Sequence, residues 1–517
     1  MYTLAIINAA LANEYCHAPF AGGPGSYERV RKLVLELAGE GRVLVLAGAS
    51  PLPDPGLPLV ARAEWSMKSV LEEAAAFASG HPEAEALLYV HADMPFLDAA
   101  LCSSLLDLHR RYRSEYTFAD GYPPGFAPEI LSPRVLPNLA ELAGRHDAPA
   151  DRDGLFSVVQ KDINSYDIET ELSPVDLRGL RFVPLCNTKR NKESAEALYR
   201  LGARSAADAT RLLPIHPELL RTIPAFLWVQ ITARCFQACS YCPYPHMVGD
   251  PRLLEDFMPV DRFRRIMDEA AGLCDDLVVD LSLWGEPAAH PDLAAMVETA
   301  MSHSRFTLIL ETSGIGWQPG LAESLAVRWG SRLQWIVSLD DPDPAGYAAL
   351  RGDGQREAIA FAERMTAVSL DTVHVQAVRM KENEDRLETF YRGWKQKTDK
   401  VIIQKYDAFC GVLPDRSVAD LSPLERLPCR HLARDMAILL DGSVPPCRHC
   451  LVAGGTGSAP ARAGVKYGLC YDHLAANVFE DGFEKAWNAT GSWYGRHCAA
   501  DYPEPCGLCD EYHTFNA

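Results

Sequence analysis

Short apolar runs alternate with amphipathic stretches along the first part of the chain. Residues 4–8, 42–47 and 86–91 read as strands, and 27–37 and 66–77 carry a helical period between them. Strands separated by helices predict an open α/β sheet. The pattern resumes in six apolar runs, 226–231, 277–283, 306–310, 335–339, 373–378 and 401–403, with helical stretches such as 260–271, 293–301 and 357–366 between them. Six such repeats predict a partial (β/α)6 barrel, whose function gathers on the loops at the carboxyl ends of the strands. Residues 193–220 read as helical with breaks at Pro214 and Pro217, and are expected to form a connector. Beyond the barrel, the turn pair Asp441-Gly442 predicts a β-hairpin over 438–447. The expected organisation is an α/β domain over 1–192, a helical connector over 193–222, the barrel over 223–408 and a small cysteine-rich hairpin and helix extension over 409–517.

Composition narrows the partners. With 517 residues, 50 Lys and Arg against 69 Asp and Glu, and a formal charge of -19, the chain has no electrostatic footprint for nucleic acid or an anionic membrane. No stretch reads as a membrane span, and the first apolar run has no basic residues before it, so it is expected to be a strand rather than a signal peptide. The expected location is the cytoplasm. Of 15 cysteines, eight lie from Cys410 onward. In a reducing compartment these are expected to hold metal rather than form disulfides.

The densest chemistry is Cys235-Phe236-Gln237-Ala238-Cys239-Ser240-Tyr241-Cys242, just after the first barrel run. Three thiols in one short loop can aim at one centre, with no fourth ligand nearby. That suits an iron–sulfur cluster with one open iron; a zinc knuckle would usually pair its ligands and close the tetrahedron. With its Cys-x3-Cys-x2-Cys spacing and aromatic residue before the last cysteine, the segment from about 224 onward resembles the radical S-adenosylmethionine (SAM) superfamily. The resemblance implies a [4Fe-4S] cluster on Cys235, Cys239 and Cys242, SAM as cofactor, and a 5′-deoxyadenosyl radical that abstracts hydrogen. It also implies an electron donor of the flavodoxin or ferredoxin type. Tyr241 would lie beside the adenine. Trp284-Gly285-Glu286-Pro287 is similar to the superfamily's "GGEP", which would give Gly285 and Glu286 to the cofactor's ammonium. Thr312-Ser313-Gly314 stands at its "TNG", and Ser338 and Arg351 would meet the ribose and carboxylate ends.

Cys429, Cys447, Cys506 and Cys509 can close a four-sulfur site. With Asn477-Val478-Phe479-Glu480 and Trp487, they resemble the SPASM and twitch extensions of that superfamily, which implies an auxiliary [4Fe-4S] cluster. A structural zinc ribbon is the plainer reading. Cys410, Cys450, Cys470 and Cys498 have no assigned role. Where sulfatase-maturing relatives carry an acid after the hairpin cysteine, this chain has Arg448.

In the front domain, His91-Ala92-Asp93-Met94-Pro95 puts an acid at a strand's carboxyl end, where open α/β sheets bind ligands. The segment resembles nucleotidyltransferases of the glycosyltransferase-A type, which implies Asp93 as a metal ligand and Mg²⁺ as its metal. Residues 11–17 replace that family's glycine-rich basic loop, and Gly22-Gly23-Pro24-Gly25 comes later. The whole combination is most similar to the spiro-SPASM family. The expected activity is that of a radical SAM enzyme acting on a peptide or a sugar- or nucleotide-linked molecule. The alternatives are a metal-dependent nucleotidyltransferase or sugar-nucleotide-binding protein with a regulatory iron–sulfur half, and a non-catalytic zinc scaffold.

Overall fold

The first strand, β1 (Tyr2–Ala9), is apolar on both faces because it lies inside a sheet covered on both sides. In this computed structural model, which describes residues 2–49, 52, 56–419, 422–453, 469–471 and 473–513, it joins β2 (Val43–Ala47), β3 (Leu59–Ala61), β4 (Ala84–His91), β5 (Tyr116–Asp120), β6 (Glu129–Leu131) and β7 (Ile168–Leu172). The order is β3-β2-β1-β4-β6-β5-β7, with β1 to β4 parallel and β6 antiparallel to both neighbours. Period-two alternation splits β1 between two cores. Ala5 and Ile7 pack with Val30 and Val34 of the helix Ser26–Ala38, while Leu4 and Ile6 pack with Val70 and Leu71 of Met67–Ser79.

The segment expected as a connector is part of this unit, which runs Met1–Leu220. Ala195 and Leu198, then Ala206, Ala209 and Leu212, form apolar stripes at helical spacing and sit in the same core as Phe20 and Phe96. The prolines start short 3-10 turns rather than freeing the chain.

The second unit, Arg221–Ala517, carries β8 (Phe226–Val229), β9 (Val278–Asp280), β10 (Thr307–Thr312), β11 (Leu333–Ser338), β12 (Val373–Arg379) and β13 (Val401–Lys405) as sequential parallel neighbours. These are the six expected barrel strands. A seventh, β14 (Asp435–Ile438), pairs in parallel with β8 at the open edge. Of the expected hairpin the structure has the turn, where Leu439 N–H donates to the Ser443 carbonyl and Gly442 N–H to Leu439 (both 2.9 Å), but not two paired strands. Met436, Ala437 and Ile438 bury themselves by extending the sheet, and the turn at Gly442 instead sends β15 (Ser443–Val444) to pair with β18 (Ala476–Asn477). Between these, β16 (Leu451–Ala453) pairs with β17 (Leu469–Tyr471).

The barrel and the tail are not separate bodies. Phe483, Ala486 and Trp487 of the helix Phe483–Cys498 share a core with Phe263, Ile266 and Met267 of the helix Val260–Leu273. The Trp487 indole also donates to the Thr222 carbonyl at 2.8 Å and takes the Arg221 guanidinium on its face at 3.6 Å. Among the described residues no helix is long and apolar enough to cross a membrane.

Candidate active site

The cysteine loop leaves the carboxyl end of β8 and is pinned by backbone bonds on both sides. Cys235 N–H donates to the Pro251 carbonyl (3.2 Å), Ser240 N–H to Leu350 (2.8 Å), and Cys242 N–H to Cys239 (3.1 Å). The Tyr244 hydroxyl ties the loop's start by donating to the Ala233 carbonyl at 2.9 Å. All three thiols are free and half-buried on one cavity wall. Burial, and then neighbouring thiols, push Cys242 up to about 12. Burial, followed by the charge of Glu286, also raises Cys235. A thiol set that resists ionising together is stabilised as thiolates by a bound cation, so these donors fit an iron–sulfur cluster.

The cavity holds about 220 Å³ and brings together every barrel residue singled out in the sequence. Gly285 is required by close approach, since a Cβ there would stand 2.4 Å from the Thr232 carbonyl oxygen. That approach lets Glu286 N–H donate to the Arg234 carbonyl at 2.8 Å, pressing the Glu286 loop onto the cysteine loop. Glu286 is buried, and its carboxylate accepts from the Thr312 hydroxyl (2.6 Å) and from the Ser313 N–H (2.8 Å) and hydroxyl (2.7 Å). Burial raises its pKa, and these donors oppose that rise. All are neutral, so the negative charge is held in place without being cancelled.

Trp284 stands where the superfamily's first glycine would be and has φ +50°, in the left-handed region. Its indole holds the position by donating to the Tyr471 hydroxyl at 2.8 Å and stacking on Tyr244.

Tyr241 and Arg351 line the cavity but spend their polar ends on each other. The Tyr241 hydroxyl donates to Asp340 at 2.5 Å, and the Arg351 guanidinium donates to Asp340 at 2.6 Å, to Gln237 at 3.1 Å and to the Tyr241 oxygen. The adenine and carboxylate contacts expected of them would have to be made around this network. Ser338 accepts from Gln376 at 3.5 Å.

Below this cavity the barrel lumen encloses about 630 Å³. Glu311 and Arg448 line both spaces, and Asp280 faces the lumen. Sequence reasoning gave Asp280 and Glu311 no role. The available signal was an acid at an inward-facing position of a barrel strand, since β10 alternates and places Glu311 on the same face as Thr307 and Ile309.

Further along, the tail gathers more thiols than expected. Cys429 feels the charges of Cys447, Cys506 and Cys509, the four assigned together from the sequence. All of these thiols are free; Cys450 lies within hydrogen-bonding reach of Cys447 and Cys506, and Cys410 of Cys509, so two thiols left without a role belong to the same basin. Cys498 contacts Tyr494 instead, and Cys470 lies on β17. The carboxylates of Asp407, Asp510 and Glu511 also meet within 4.8 Å, but Lys405 Nζ already sits 2.8 Å from both Asp510 and Glu511.

In the front unit Asp93 is ion-paired with Arg152, which a divalent cation would have to displace. His91 is half-buried two residues before it, and its buried Nε2 has no partner among the described residues.

A family model and several known proteins are similar to this chain. Residues 229–392 match the model of the Radical SAM superfamily. An uncharacterized protein of Treponema pallidum is 33% identical over 381 residues, 70% of this chain and 98% of that protein. A PqqA peptide cyclase of Ruegeria pomeroyi is 25% identical over 326 residues, covering 57% of this chain and 82% of the cyclase. Among solved structures, Streptococcus suis SuiB bound to precursor peptide SuiA aligns over 67% of this chain and 78% of that one, at 14% identity and a TM-score of 0.41. The matched segment holds the three-cysteine loop, Glu286, Ser338 and Arg351, all on one cavity, and the chain belongs to the radical SAM superfamily.

Proposed function

We propose that the protein is a radical SAM enzyme with an auxiliary iron–sulfur cluster in its tail, and that its substrate occupies the barrel lumen. The observation that carries this is the shared cavity wall of Cys235, Cys239 and Cys242 facing Glu286, an acid held only by neutral donors. Cys235, Cys239 and Cys242 would hold a [4Fe-4S] cluster which, once reduced by an external one-electron donor, would supply the reductive cleavage of SAM and, through it, hydrogen-atom abstraction from the substrate. Glu286 would receive the cofactor's ammonium, and Thr312 and Ser313 orient that carboxylate. The walls formed by Trp284 and Phe409 keep bulk water from the reacting atoms. Cys429, Cys447, Cys506 and Cys509 hold the auxiliary cluster, with Cys410 and Cys450 beside it as reserve or bridging thiols. The resemblance to peptide cyclases favours a peptide substrate.

Anaerobic reconstitution with iron and sulfide should load about eight irons per chain, as two four-iron clusters. Dithionite and SAM should then yield 5′-deoxyadenosine. Cys239→Ala should lose about four irons and all SAM cleavage. Zinc in place of iron, or cleavage independent of Cys239, overturns the proposal.

A further inference from the structure

Among the described residues, the lumen holds acids that have no counter-ion. Its other charged side chains are already partnered: Arg379 with Glu384 (2.7 Å), Lys405 with Glu511 (2.8 Å), and Asp435 with His431 (2.5 Å) and Arg434 (3.0 Å). Asp280, Glu311 and Arg448 are left over. Asp280 is fully buried, and its Oδ2 has no partner among the described residues, while its Oδ1 accepts from Ser282 N–H at 2.6 Å. The Ser282 hydroxyl in turn accepts from Glu311 N–H at 2.8 Å, which fixes the two acids relative to one another. Arg448 stacks on Trp228 at 3.8 Å, forms no ion pair with either acid, and leaves its buried Nε unpartnered among the described residues.

A buried Asp oxygen and an Arg N–H both await partners, and two carboxyls share the space with one guanidinium. The geometry points to a substrate-recognition site at Asp280, Glu311 and Arg448 for a molecule carrying a primary ammonium, with a carbonyl or hydroxyl acceptor close to it. The ammonium lies between the two acids, and the neighbouring oxygen accepts from Arg448. Burial first, and Glu311 second, push Asp280 well above the carboxylate range, as expected of acids whose counter-charge arrives with the ligand. A lysine side chain near its peptide carbonyl and an amino sugar both have this chemistry. The assignment rests on reading the adjoining cavity as the cofactor site.

The test is equilibrium binding to the reconstituted, unreduced protein without SAM, followed by ligand-observed NMR. Two probes, Nα-acetyl-lysinamide and glucosamine, are each compared with their neutral N-acetylated forms. At least one amine should bind about tenfold or more tightly than its acetamide, and which one does separates a peptide from a sugar source. Asp280→Asn and Glu311→Gln should each erase that preference. Both should also raise the Tm of the ligand-free protein, since each removes the cost of desolvating a carboxyl that has no counter-ion, whereas loss of a merely structural group would lower it. Equal affinity of amine and acetamide, no binding of either amine, or a lowered Tm in both variants overturns the site. SAM affinity is measured on the same preparation. Its absence with the amine preference intact counts against the cofactor reading alone.

Discussion

The two units build the same kind of place and use it differently. Each puts an acid on a loop at the carboxyl end of a parallel strand, Asp93 after β4 and Glu286 after β9. Asp93 is met by the Arg152 guanidinium of its own unit, whereas Glu286 is met by two backbone N–H groups and two hydroxyls. A carboxylate paired with an internal cation is already neutralised, while one held by neutral dipoles keeps its charge for a ligand. The partner of the acid therefore says more about a ligand site than its place in the fold, because fold alone does not carry function.

The largest effect that would break this contrast is at Glu286. Glu286→Gln keeps the shape and removes the charge, so the SAM dissociation constant should rise by roughly 10- to 100-fold, the worth of one charge-assisted hydrogen bond. Isothermal titration of the reconstituted protein measures it. An unchanged constant would mean that Glu286 is structural. Conversely, Asp93→Asn should leave the SAM constant unchanged and cost about 1–3 kcal/mol of stability, because it strands a partly buried guanidinium. Removing both partners in Asp93→Asn with Arg152→Met should recover part of that loss, and a double-mutant cycle by denaturant titration reads the coupling. A strong effect of Mg²⁺ on the Asp93 ion pair would reopen the front unit as a metal site.

The sequence made the barrel and the cofactor motifs plain because both rest on local signals. The six strands carry apolar periodicity, and Cys235, Cys239 and Cys242 lie within one turn of chain. What it hid depends on tertiary placement. Met436-Ala437-Ile438 is too short a run to show whether it extends a sheet or starts a hairpin, and the free edge of β8 decides that. Cys410 and Cys450 have no regular spacing to the other thiols, and only the fold carries Cys410 to Cys509. The stretch 193–220 reads as helical, and the burial of Ala206 and Ala209 in the core of Phe20 and Phe96 is visible only with the sheet in place. Glu311 sits one residue before the recognisable Thr312-Ser313-Gly314, so its inward face passed as ordinary strand alternation.

The smallest effect sharpens the comparison through Arg152, whose charge reaches a second acid. Glu129 on β6 accepts from the Tyr116 hydroxyl, and burial lifts its pKa to about 7, while that hydrogen bond and the charge of Arg152 hold it down. The folded value lies above that of an unfolded glutamate, about 4.3. The folded chain therefore keeps the proton where the unfolded chain has lost it. This contribution to stability is complete below pH 4.3 and is lost as the pH rises through about 7. The calorimetric transition that Asp93→Asn shifts should accordingly fall in Tm between pH 5 and pH 7.5, and Glu129→Gln should flatten that fall. Arg152→Met removes an opposing charge, so Glu129 should titrate higher and the fall should extend to more alkaline pH. If Arg152→Met leaves the profile where it was, the guanidinium serves Asp93 alone, and the front unit's acids are neutralised one by one rather than by a shared cation.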